Sequence, residues 1–123
     1  MKVFVPITAL IGLALAYDEG TQCSNKDPSV VNAIGKFCQN TKMVVPSSYA
    51  TGGMAGYSGH KTHIRITGSC SPAQWVPQKY CLAQFYEMCA NSRAKGAQTN
   101  DYGRDGCQKW VIDVGPRATW GLN

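Results

Sequence analysis

Six cysteines constrain this chain more than any other feature of its sequence. Cys23, Cys38, Cys70, Cys81, Cys89 and Cys107 all lie beyond residue 16. The residues before them read as an address. Met1-Lys2 is a basic start, Val3 to Leu15 is apolar apart from Pro6, Thr8 and Gly12, and Ala14-Leu15-Ala16 is an A-x-A cleavage site before Tyr17. Residues 1–16 are therefore expected to be a signal peptide, leaving residues 17–123 as one secreted domain. A transmembrane helix needs ~20 apolar residues, and neither this segment nor any later one supplies them. An even number of cysteines in a short exported chain reads as three disulfides. Each bridge over a medium loop stabilises by roughly 3 kcal/mol, which offsets the small core such a chain can bury. Spacing selects no pairing. If both helices run the same way across a sheet, Cys38 would meet Cys81 or Cys89.

Hydrophobic periodicity supplies the elements between the cysteines. His63–Thr67 alternates Ile64 and Ile66 with Arg65 and Thr67, the period of a half-buried strand. After the turn residues Gly68 to Pro72, helical spacing is expected from about Trp75, with Pro77 in the first turn and Cys81, Phe85, Met88 and Cys89 on one apolar stripe. A first helix is predicted from an Asp27 cap and Pro28 through Val30, Ile34 and Phe37 to about Gln39. Gly35 within it suggests a close-packed neighbour. Lys42–Val45 and Gln108–Val114 read as strands, the latter with Trp110, Ile112 and Val114 on one face. Gly20–Cys23 is a weak further strand. Ser47–Lys61 and Ser92–Gly106 are polar connections, and the tail after Pro116 is loosely held. The order is βαββαβ: an α+β, ferredoxin-like two-layer sandwich with an antiparallel sheet and both helices on one face. Its edge near Met43–Val45 is open to a partner strand.

The residues that could carry chemistry are few. His60 and His63 are the only histidines, and their spacing does not share one strand face. No CxxC occurs, so no metal or cofactor is expected. His63, Arg65 and Glu87 are the residue types of a ribonuclease, but Glu87 belongs to the stapled helix and His63 to an exposed strand face. No G-x-S-x-G elbow occurs. Without Lys2, eleven basic residues face seven acidic ones, a surplus of about +4 scattered singly along the chain. Such a mild surplus keeps a protein in solution or favours anionic surfaces, and nucleic acid is not the expected partner. Aromatics in the polar connections and the tail remain: Tyr49, Tyr57, Tyr102 and Trp120. With Met54 and Arg104 beside them, Tyr49, Tyr57 and Tyr102 are candidate partner-binding residues, suited to a sugar or a protein. The alternative is that some of these rings cover the core.

The layout over residues 17–123 resembles the small secreted cysteine-rich effectors of plant-pathogenic fungi, of the secreted-in-xylem type. It is also similar to the ferredoxin-like domains of virally encoded fungal killer toxins. The features are Cys23 soon after the signal, a first helix ending Phe37-Cys38, a second helix reading CLAQFYEMC, and a final GCQKWVI strand. The resemblance implies an extracellular, non-enzymatic virulence protein in apoplast or xylem, with possible entry into host cells. It would bind a host protein or a second secreted effector, as half of a pair. Fungal glycan-binding proteins have a similar order of elements and make a lectin the alternative. They usually close on a C-terminal cysteine, whereas this chain ends Trp120-Gly121-Leu122-Asn123.

Overall fold

The computed structural model describes residues 19–57, 62–93 and 95–115. The expected signal peptide (residues 1–16), His60 and the tail with Trp120 lie outside the described residues. The described residues begin with a helix, α1 (19–26), which stops at Asp27, whose backbone is extended. The Asp27 carboxylate accepts a hydrogen bond from Ser29 N at 2.9 Å and so caps α2 (Pro28–Phe37), with Pro28 in the first turn where its missing N–H costs nothing. Then follow β1 (Val44–Val45), α3 (Ser48–Gly52), β2 (Met54–Ala55), β3 (Thr62–Gly68), β4 (Gln74–Trp75), α4 (Gln78–Ala90), β5 (Gln98–Tyr102), a 3-10 turn (Arg104–Gly106) and β6 (Gln108–Val114).

Two antiparallel sheets result. The larger has the order β2-β3-β6-β5, and the smaller is the ribbon β1-β4. The β3–β6 pair is the longest, running from Thr62 opposite Val114 to Gly68 opposite Gln108. Its register puts Ile64 beside Ile112 and Ile66 beside Trp110, so one face is apolar. Helices α2 and α4 pack on that face and on each other. Phe85 of α4 meets the Trp110 ring at 4.6 Å and the Phe37 ring of α2 at 5.9 Å. Tyr102 extends the row beyond Trp110 at 5.0 Å. On the opposite face Asp113 is fully buried and ion-paired with Arg65.

Three disulfides hold the layers together and leave no free cysteine among the described residues. Cys23 joins Cys89, Cys38 joins Cys81, and Cys70 joins Cys107. Cys38 caps the C-terminus of α2, while Cys81 lies in the first turn of α4. The two helices are therefore antiparallel, opposite to the arrangement under which a Cys38–Cys81 bridge was expected. Gln78 Nε2 donates to the Cys38 carbonyl at 3.0 Å across the same junction.

The α+β class, the antiparallel sheet and the three bridges match expectation; the βαββαβ order is not the order found. Residues 20–24 are helix, because no alternating apolar pair recommends a strand there and Cys23 must reach Cys89 with its Cα 5.2 Å away. Trp75 is strand and not helix. Val76 precedes Pro77, which favours extended backbone, and Val76 N donates to the Met43 carbonyl at 2.9 Å. That pairing also covers the edge at Val44–Val45, where Met43 and Val45 are buried. The connection Ser47–Lys61 contains α3 and β2, and Ser92–Gly106 contains β5. A Cβ on Gly35 would meet nothing within 4 Å, so the close neighbour expected there is absent.

Peptide mapping of the unreduced protein should recover the three pairs above. Replacing Cys38 and Cys81 together by Ser should cost roughly 4 kcal/mol in denaturant unfolding, as loop-closure entropy predicts for a loop of that length.

Candidate functional site

Among the described residues a groove of about 330 Å³ lies between the β1-β4 ribbon, the N-terminal half of α4 and the ends of β5 and β6. Its lining is Gln74, Trp75, Val76, Pro77, Tyr80, Gln84, Tyr102, Gly103, Gln108 and Trp110. None of these carries a charge. Trp110 and Gln108 form the buried floor, a direct continuation of the aromatic core.

Two large rings stand in solvent at this groove, Trp75 at 60% and Tyr80 at 50% exposure. Exposed rings of this size on a small domain commonly mark an interaction site. Trp75 is held in place nonetheless: its indole Nε1 donates to the Thr41 carbonyl at 2.8 Å. Tyr80 and Gln84 are four residues apart on α4 and share one side of the helix. Lys79 Nζ lies 5.4 Å from the centre of the Tyr80 ring, a cation–π contact.

The amides are ordered by a short chain of hydrogen bonds. Trp110 Nε1 donates to Gln108 Oε1 at 2.8 Å, and Gln108 Nε2 donates to Gln74 Oε1 at 3.2 Å. Gln74 Oε1 also accepts from Arg104 N at 3.0 Å. It lies 3.1 Å from Cys107 Sγ and 3.4 Å from Cys70 Sγ, which are contacts and not hydrogen bonds, because oxidised sulfur carries no hydrogen. With its oxygen so engaged, the Gln74 amide nitrogen has no partner among the described residues. Gln84 Oε1 is buried and has no partner there either. The lining thus holds one donor and one acceptor without a partner among the described residues, and the acceptor, Gln84 Oε1, is shielded from solvent.

The five candidate residues from the sequence are not brought together. Met54 on β2 and Tyr102 on β5 stand on opposite edges of the sheet. Tyr49 stacks on Phe37 at 5.3 Å and donates to its carbonyl at 2.7 Å, so its ring serves packing. Met54 is half-buried against the core, and Tyr57 is 47% exposed. Tyr102 lines the groove; Arg104 is exposed next to it, with Nη2 donating to the Pro72 carbonyl at 3.0 Å. The possible ribonuclease set is not gathered: His63 and Arg65 lie on the sheet face away from α4, and Glu87 is exposed on that helix. Among the described residues no cluster of His, Cys, Asp or Glu is placed to hold a metal ion. No helix among them is long and apolar enough to cross a membrane.

Comparison of the chain with protein-family models, curated proteins and solved structures gives no match. The groove must be read from its own residues. Sequence reasoning missed Trp75, Tyr80 and the three glutamines. One signal was present: Tyr80 falls off the apolar stripe of α4, so its ring has no place in the core.

Burial raises the phenol pKa of Tyr102; the hydrogen bond from Asn100 partly lowers it again, and the charge of Glu87 raises it further. Burial likewise raises Tyr49. Both phenols are favoured as neutral groups in the fold. Stability from them is fully present below their ordinary value of 10.0 and is lost as pH rises through the higher folded values. Denaturation midpoints measured across alkaline pH should show this decline, and Tyr102→Phe should make it shallower.

Proposed function

We propose that this protein is exported by a fungus and acts without catalysis as an effector-type binding protein in a plant host, with the groove as its contact site. The observation that carries this reading is Trp75: a large ring left in water yet fixed by a hydrogen bond to Thr41. A ring so exposed contributes little burial to the fold, and its fixed orientation lowers the entropy cost of meeting a ligand. Three disulfides suit an oxidising extracellular compartment. A rigid stapled frame presenting irregular connections is a common construction for binding proteins. The resemblance noted above points to a second secreted effector or a host protein as partner, with a glycan as the alternative. The ferredoxin-like likeness of that family extends here only to two helices on one face of an antiparallel sheet.

Two outcomes follow. Protein recovered from culture medium should begin at Tyr17. The double variant Trp75→Ala, Tyr80→Ala should unfold within about 1 kcal/mol of the parent, since both rings are exposed. It should nevertheless fail to restore virulence or host recognition to a deletion strain. Full restoration by that variant would remove the groove from the function.

A further inference from the structure

We infer that the groove binds a neutral saccharide chain through ring stacking on Trp75 and Tyr80 and hydroxyl bonding to Gln74 and Gln84. The inference deepens the binding reading above and rests on it.

Four features of the lining lead there. It carries no charged side chain, so an ionic ligand would lose hydration without gaining a counter-charge. Lys79 and Arg104 stand at its rim, Lys79 over the outer ring of Tyr80, and neither is among the residues that line the groove. The exposed Trp75 ring is a flat platform whose orientation is already fixed, and the C–H face of a pyranose is the apolar surface a polar ligand can lay on such a ring. The groups without a partner among the described residues are one donor, the Gln74 amide nitrogen, and one acceptor, Gln84 Oε1, which a turn of the Gln84 side chain brings into the groove. A sugar hydroxyl both donates and accepts, so a single ring with two hydroxyls satisfies both. A volume of about 330 Å³ lies at the small end of ligand pockets, fitting one or two sugar rings of a chain whose remainder stays in solvent.

A peptide is the competing occupant. It would also offer donors and acceptors, but it gains affinity by placing apolar side chains in apolar sockets. Here the lining mixes four rings, Trp75, Tyr80, Tyr102 and Trp110, with three amides, Gln74, Gln84 and Gln108. Gln84 supports a ligand site beside the two exposed rings, although Asn32 Oδ1 and Thr62 Oγ1 are buried without a partner elsewhere among the described residues. A buried acceptor left without a partner destabilises the free protein, and a ligand hydroxyl repairs that defect.

The test uses the full mature chain. Six-unit cello-, chito-, xylo- and manno-oligosaccharides, with polygalacturonate as the charged control, are titrated by tryptophan fluorescence and calorimetry. At least one neutral series should bind saturably, and polygalacturonate more weakly or not at all. Trp75→Ala should weaken that binding by about tenfold or more. Gln84→Leu should weaken binding while raising the melting temperature by about 4 °C, since the unpartnered oxygen is gone. A lining residue with only a structural role would not move those two readouts in opposite directions. Should no neutral oligosaccharide bind while Trp75→Ala, Tyr80→Ala abolishes the host effect, the groove is a protein site and the saccharide inference is overturned. If that variant also retains the host effect, the binding reading of the groove falls with it. Tighter binding of polygalacturonate than of every neutral chain would equally overturn the inference.

Discussion

Helix α4 is tied at both ends, and the remainder of the fold follows from that restraint. Cys81 in its first turn is bonded to Cys38, and Cys89 in its last turn to Cys23. A helix of 13 residues fixed at two points one side apart from solvent cannot slide or roll against α2. Its apolar stripe must face the sheet, which sets Phe85 on Trp110. The same rotation sends Tyr80 and Gln84 toward the groove. An α4 held by packing alone would depend on few large aliphatic contacts, since the core is built mainly of rings, short aliphatics and sulfur. Covalent closure compensates by narrowing the unfolded ensemble.

The third bridge governs the other wall. Cys70–Cys107 joins the connection after β3 to the start of β6. The chain between β3 and α4 therefore turns back beside the sheet, and β4 pairs with β1 as a separate ribbon. Gly68 allows the approach: a Cβ there would stand 2.4 Å from the Cys107 carbonyl oxygen and 2.7 Å from Val45 Cγ1. Gln74 sits at the junction and gathers Arg104, Gln108 and the bridge around its oxygen. Trp75 follows Gln74, and its ring stands in solvent with Nε1 on the Thr41 carbonyl. Its exposure is thus a consequence of how the ribbon is anchored.

The two faces of the sheet are stabilised differently. The helix-covered face is aromatic and aliphatic, and it continues without a break into the floor of the groove through Trp110. The other face buries Asp113, which is compensated by Arg65 one strand away. Removing one partner of such a pair leaves an uncompensated charge, a larger penalty than the pair's own net contribution. Among the described residues the Arg65–Asp113 ion pair lies on that face, and the side chains lining the groove carry no charge.

Much of the fold was legible because local rules and tertiary needs agree. Asp27-Pro28 caps and starts α2, the alternation of Ile64 and Ile66 makes β3, Trp110 and Ile112 make β6, and the stripe Cys81, Phe85, Met88, Cys89 makes the buried side of α4. In each case periodicity and burial name the same residues. Where they diverged, the tertiary structure decided. Residues 20–24 carry no strand pattern, and their helix is fixed by a bond to a cysteine 66 positions later. Strand β5, QTNDY, has no apolar alternation and exists because the edge of β6 supplies its hydrogen bonds. Pairing of cysteines depends on which helix ends meet, and spacing carries no record of helix direction. The groove was invisible for the same reason: Gln74 and Trp75 on the ribbon, Tyr80 and Gln84 on α4, and Tyr102 and Gln108 on the sheet are neighbours only once three separate chain segments are stapled together.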